Sequence, residues 1–199
     1  MSDPLSEKHL LAALEKKELL SFQQARDLFV NRLELVKQSR KRREKVGGPA
    51  FTGDRDRLYQ FIDTIVFLNL KRNDDPSKTL DEDTIYQVLA ENWKIPFVKI
   101  DPLELDLNIV TTTIPISFAK NHLVLPISIS QGELTVATPN PFNLEVLEDI
   151  GRACQMPVNA VVSPQSDIIK LIEEFFGFKR SIAAAENQFA GPTVDLGNL

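Results

Sequence analysis

A single cysteine among 199 residues, Cys154, leaves no partner for an internal disulfide, so the fold cannot draw on one. Set in a helix-like stretch, that thiol is expected to be a small buried hydrophobe rather than a nucleophile. Only two histidines occur, His9 and His122, distant in sequence and without a His, Cys or acidic neighbour at a recognisable metal-binding spacing. Long apolar runs are missing as well. The longest strongly apolar stretch, Phe61 to Leu70, is broken by Asp63 and Asn69 and falls far short of the roughly 20 residues that span a bilayer. The start, Met1 to Leu14, mixes acids and bases in a helical pattern and lacks the plan of a secretory signal, so a cytoplasmic location is expected. Nor is there an excess of positive charge. With a formal net charge of -5, nucleic acid is not an expected partner, and any contact with anionic lipid must come from a local patch.

What is present is a core-forming composition, 43% hydrophobic and 26% charged, enough for one sizeable domain or two small ones. Leu10, Leu11, Leu14, Leu28, Leu33 and Val36 recur at three- and four-residue steps, which predicts two amphipathic helices within a segment spanning 1–46. The break falls near Leu19-Leu20-Ser21, where Ser21 can cap the second helix. That helix runs into Lys37, Arg40, Lys41, Arg42, Arg43 and Lys45, six basic residues against the single acid Glu44, and stops at Gly47-Gly48-Pro49. These six are the candidate contacts with acidic lipid or an acidic partner, set against the plainer reading of a solvated basic helix end.

Residues 47–57 read as a linker and 58–100 as a helical subdomain, with Leu58, Phe61, Ile62 and Ile65 on a buried face. Asn73-Asp74-Asp75-Pro76-Ser77 is a turn cluster, and a helix carrying Ile85, Val88 and Leu89 follows, with Trp93 packed at its end. Asp81-Glu82-Asp83 suits the start of that helix, where acids complement the dipole. Pro102 to Asn108 reads as an extended connector.

Residues 101–178 carry the pattern of a compact α/β domain. A short helix at Ile116–Asn121 leads to a strand at Leu123–Ile129, a Gln131-Gly132 turn and a partner strand at Leu134–Ala137. Pro126 cannot donate to a ladder, so its strand is expected at an edge or a bulge. Asn140-Pro141 is expected to open a helix with a face of Leu144, Leu147, Ile150 and Ala153. Val158–Val162 reads as a third strand. Ser163-Pro164 is expected to cap a last helix with Ile168, Leu171, Ile172 and Phe175, stopped by Gly177, and 179–199 as a linker. The fold class is therefore α+β: helical N-terminal segments, then a small, mostly antiparallel sheet of about three strands with helices.

Catalytic motifs do not emerge. Gly48 and Gly53 have the spacing of a phosphate loop, but Asp54-Arg55 stands where Lys and Ser or Thr are needed, and Pro49 removes a backbone donor. No Gly-x-Ser-x-Gly turn appears.

The run from Ile114-Pro115-Ile116-Ser117 through Leu125-Pro126-Ile127, then Gly132-Glu133-Leu134-Thr135-Val136-Ala137-Thr138-Pro139-Asn140-Pro141, resembles the N-terminal domain of the type II secretion and type IV pilus assembly ATPases. The likeness covers residues 85–177 and includes Trp93-Lys94-Ile95-Pro96-Phe97-Val98. It implies a non-catalytic fragment that docks a hexameric motor onto the cytoplasmic domain of an inner-membrane platform protein. It also implies a peripheral place at the bacterial inner membrane, with no cofactor in this chain and ATP and magnesium in the absent motor domain. An absent dinucleotide motif leans the reading toward type II secretion. Some members bind cyclic di-GMP through an Arg-Leu-Gly start, a later Gly, spaced leucines and a closing Gln. Here His9 takes the Arg position, Leu11 and Glu18 the glycines and Arg32 the Gln, while Lys71 and Lys78 replace glycines in a second copy. Cyclic di-GMP is therefore not the expected ligand, and a sensor of that dinucleotide stands as the alternative.

Overall fold

The computed structural model describes residues 3–46 and 57–189, with the backbone alone for 42–46 and 187–189, and divides into two compact units, Met1–Phe97 and Val98–Leu199. The segments 1–46 and 58–97 thus share one unit; of the expected linker at 47–57, residues 47–56 lie outside the described residues and Arg57 already opens a helix.

Among the described residues the first unit has four helices: α1 (Glu7–Lys16), α2 (Phe22–Val46), α3 (Arg57–Phe67) and α4 (Glu82–Trp93). Helix α1 starts where Ser6 Oγ accepts from the His9 amide at 3.2 Å. At α2 the cap is reciprocal: Ser21 Oγ accepts from the Gln24 amide (3.2 Å) and Gln24 Oε1 from the Ser21 amide (2.8 Å). This capping box satisfies two donors that the first helical turn leaves unpaired. Asp81 does the same for α4, accepting from the Thr84 amide at 2.8 Å. The helical periodicities converge on one core, in which Leu10, Leu14, Phe61, Ile65, Ile85 and Leu89 are fully buried. Each such burial is worth about 1.5–3 kcal/mol.

The turn cluster closes a narrow loop through a Lys71–Thr79 bridge and a Leu80 amide bonded to Leu70 O at 2.8 Å. Arg72 grips Asp74 inside it (Nε–Oδ1 2.9 Å), and that hydrogen bond holds the Asp74 carboxyl below its ordinary range. The loop is tied to the α1–α2 junction, since Asn73 donates to Leu19 O at 3.0 Å. Trp93 anchors the end of α4 by donating from Nε1 to Pro4 O at 3.2 Å.

The second unit contains α5 (Leu107–Thr112), α6 (Ile116–His122), β1 (Leu125–Ser130), β2 (Glu133–Thr138), α7 (Leu144–Cys154), β3 (Val158–Val162) and α8 (Gln165–Phe189). The hairpin forms as expected. Gln131 and Gly132 both take positive φ (52° and 79°), as a two-residue connection twisted with its strands requires. Pro126 meets both of its expectations: β1 is an edge strand, and the register shifts between Pro126 and Ser128.

Five expectations need correction. The sheet, ordered β1-β2-β3, is mixed, antiparallel at β1–β2 and parallel at β2–β3, because α7 carries the chain back across the sheet before β3 begins. Pro102–Asn108 is not an extended connector. Asp101 caps a 3-10 turn at Pro102–Glu104, and Asp106 caps α5 by accepting from the Asn108 amide at 2.7 Å. The cap of α7 is Asn143, whereas Asn140 accepts from the Phe142 amide in a turn. Of the expected face, Ile150 is buried and Leu147 packs against the core, joined by Val146, whereas Leu144 is 63% exposed and Ala153 is exposed too. At α8, Ser163 does not cap: its hydroxyl donates to Val98 O at 2.6 Å. Finally, α8 passes through Gly177 and continues to Phe189, so 179–189 is helix rather than linker.

The last correction has a physical reason. A helical glycine costs about 1 kcal/mol against alanine, which Ala183-Ala184-Ala185 and packing of Phe176 can offset. Lys179 adds a tether by donating to Thr111 O, near the α5 C-terminus, at 3.0 Å. A Cβ placed on Gly177 would meet nothing within 4 Å. Gly177→Ala is therefore expected to raise stability by about 0.5–1 kcal/mol in urea unfolding, whereas a left-handed helix-ending glycine would give the opposite sign.

Candidate functional site

The expected contact residues all fall on α2, which is held from one side. Ser39, 6% exposed, pairs its hydroxyl with that of Thr64 on α3 at 2.9 Å, and Thr64 Oγ1 also donates to Gln60 O at 2.7 Å. This buried polar contact fixes the rotation of α2, so the neighbouring Lys37, Arg40 and Lys41 face solvent. Arg42, Arg43 and Lys45 belong to the same helix by backbone, and their side chains lie outside the described residues.

The stretch aligned with the dinucleotide motif has a definite geometry. Leu11 is buried in α1, Leu19 and Leu20 are buried at the junction, and Glu18 takes the left-handed conformation at φ 59°. Glycine supplies that backbone without steric cost, whereas other residues pay roughly 1–2 kcal/mol for it. Glu18, aligned with one of the motif's glycines, thus holds a backbone conformation that glycine adopts more readily. Arg32, at the Gln position, is engaged: its guanidinium pairs with Glu7 at 2.9 Å and stacks over Phe29 at 4.4 Å.

In the second unit, α7 and the turn into β3 border an open groove of about 740 Å³, lined by Leu144, Leu147, Met156 and Val158 with Glu148 and Arg152 at its margin. Gly151 forms part of its floor, where a Cβ would come within 3.2 Å of Met156 O. Cys154 lies nearby, half-buried against the core, its thiol 3.6 Å from Thr113 O. Burial raises its pKa, the reverse of what activates a nucleophile. His122 packs against Phe118, ring centroids 4.5 Å apart. Among the described residues, no group of three His, Cys, Asp or Glu side chains could hold a metal ion, and no helix is long and apolar enough to cross a membrane.

None of these features, alone or joined, places a nucleophile beside a base. They comprise an exposed basic helix, a largely apolar groove and a strained turn. Sequence reasoning found the first and missed the other two, because groove and turn depend on how far α7 is displaced by Asn143 and on a left-handed backbone at a non-glycine residue.

Two outcomes check this description. Glu18→Gly is expected to raise stability by about 1 kcal/mol in denaturant unfolding, while Glu18→Val lowers it. Alkylation of Cys154 by iodoacetamide, followed by mass spectrometry, is expected to run several-fold slower in the native protein than in urea.

The MshEN domain model matches residues 93–182. The type IV pilus assembly ATPase TfpB of Acinetobacter baylyi is 23% identical over 127 residues, covering 63% of this chain. The chain spans only 22% of that relative's length. A structure of MshE with cdg aligns with a TM-score of 0.48 at 17% identity, over 83% of this chain and 97% of the other. The N-terminal domain of XpsE aligns at 0.45 and 16% identity, over 87% of this chain and 97% of the other. Over residues 93–182 the chain is thus similar to the MshEN domain, and at 23% identity it is similar to part of a type IV pilus assembly ATPase.

Proposed function

We propose that this chain is the non-catalytic docking and regulatory region of a type II secretion ATPase, binding the cytoplasmic part of an inner-membrane platform protein and coupling the motor to the machine. The observation that carries the reading is the MshEN match over 93–182, supported by a set of surfaces suited to recognition. The chain's 22% share of its pilus relative leaves ample length for a motor domain elsewhere in a parent protein. On this reading ATP and magnesium belong to that motor, the remaining partner is the rest of the hexamer, and the chain is cytoplasmic, peripheral to the inner membrane through its partner.

A second reading rests on Glu18. Its left-handed backbone is one that glycine adopts without cost, which suits a position where the cyclic di-GMP motif has glycine and favours a sensor in a type IV pilus assembly ATPase. Against it, Leu11 and Glu18 add side chains where the phosphodiesters of a cyclic dinucleotide would approach backbone, and Glu18 adds a like charge.

Isothermal titration separates the two. Titrating the chain with the platform protein's cytoplasmic domain is expected to give micromolar or tighter binding, and cyclic di-GMP in a parallel cell is expected to give none. Heat from the dinucleotide alone would transfer the assignment to the sensor.

A further inference from the structure

Helix α2 turns by about 100° per residue, which sorts its side chains into two faces. One face buries Ala25, Leu28 and Ser39 in the first unit. The other holds Phe22, Val30 and Leu33, at 67%, 67% and 68% exposure, with Phe29 at 36%. Continuing along that outer face stand Lys37, Arg40 and Lys41, all exposed, and Arg26 lies between the two phenylalanines. By the same step, Glu34 lies at the edge of this face beside Val30 and Lys41, with Asp27 just beyond it, so basic residues outnumber acids there without excluding them.

Large apolar side chains standing free on one helical face, continued by an excess of basic charge, mark an interaction surface. Two features of this one indicate its occupant. It is convex: Phe22, Val30 and Leu33 protrude and can enter something soft without needing a matching cleft. It is also long, since residues 22–41 extend about 30 Å at 1.5 Å per residue, more than a small acidic patch covers. An acidic protein would answer the lysines and arginines and leave the apolar side chains in water unless it also offered a groove aligned with them. An anionic bilayer offers phosphates and an acyl boundary along any length.

We propose that the outer face of α2 lies in the headgroup layer of an anionic membrane, with Phe22, Phe29, Val30 and Leu33 reaching the acyl boundary and Lys37, Arg40 and Lys41 meeting lipid phosphates. The net charge of -5 does not oppose this, because charges more than about 8 Å away are screened at physiological salt. The contact is independent of protein docking through the platform partner, so failure of either leaves the other standing.

The test is flotation of the purified chain with vesicles of phosphatidylcholine mixed with phosphatidylglycerol, against vesicles of phosphatidylcholine alone. The chain is expected to float with the mixed vesicles only and to be released by raised salt. Val30→Asp with Leu33→Asp should abolish flotation. The triple variant Lys37→Gln, Arg40→Gln, Lys41→Gln should weaken it on the order of a hundredfold, about fivefold per charge. All five positions are exposed, so the triple variant is expected to melt with the unaltered chain, which keeps the charge arm informative if the aspartate pair disturbs folding. Absence of flotation with both vesicles, equal flotation with both, or flotation that the triple variant leaves unchanged would overturn the proposal. Binding to soluble polyglutamate without binding to the mixed vesicles would overturn it in favour of an acidic protein.

Discussion

The second unit depends on one strand. β2 pairs on both sides, antiparallel to β1 and parallel to β3, and Leu134, Val136 and Ala137 along it have no exposure at all. A parallel neighbour cannot be reached by a tight turn, so the chain must leave the sheet, cross it as a helix and return. That requirement sets α7 over the sheet with Val146 and Ile150 inward. Its departure is shaped by Thr138 Oγ1 and Asn140 Oδ1, which accept from successive loop amides at 3.1 Å each. The return ends where Ser163 donates from its amide to Thr138 O (3.2 Å) and from its hydroxyl to Val98 O (2.6 Å), closing the sheet's end with both of its donors. The groove beside α7 is a product of the same crossover.

The four-helix unit is organised by caps and by one tied loop. Its apolar periodicity would allow several mutual rotations of the helices. The capping box at Ser21 and Gln24, the Asn73–Leu19 bond and the buried Ser39–Thr64 pair select one of them. Polar contacts of this kind add little net stability, about 1 kcal/mol each, but a misrotated helix would leave buried hydroxyls unpaired, and that penalty discriminates against alternatives. The outcome is a helix whose inward side is fixed and whose outer side is left apolar and basic.

How much of this could be read beforehand followed the range of the interactions. Local signals were legible: the Ser21 start of α2, the Gln131-Gly132 turn, the Pro126 edge and the limits of β3 each rest on residues within a few positions of one another. The misses share a different cause. Asp101 and Asp106 looked like acidic connector residues, yet each folds its carboxylate onto the amides that follow. Asn140 and Asn143 are both competent caps, and the choice between them is made by which start brings Val146 and Ile150 onto the sheet. Gly177 has the look of a stop signal, but the helix is held on its far side by Lys179 reaching Thr111. The parallel β2–β3 pair was invisible for the same reason: strand direction is a property of the whole layer. As for the basic residues, their place on a helix was readable, whereas their shared face with Phe22, Val30 and Leu33 emerged only when Ser39 was seen to be buried.

Two units built in this way present preformed surfaces with packed cores behind them, and the docking role proposed for the chain would use those surfaces as they stand. The most direct measurement of that claim is hydrogen–deuterium exchange of the chain with and without the platform protein's cytoplasmic domain. Recognition by preformed surfaces predicts protection confined to exposed segments, with the amides of α4 and β2 unchanged. No protection anywhere, or slowed exchange throughout both cores, would contradict it.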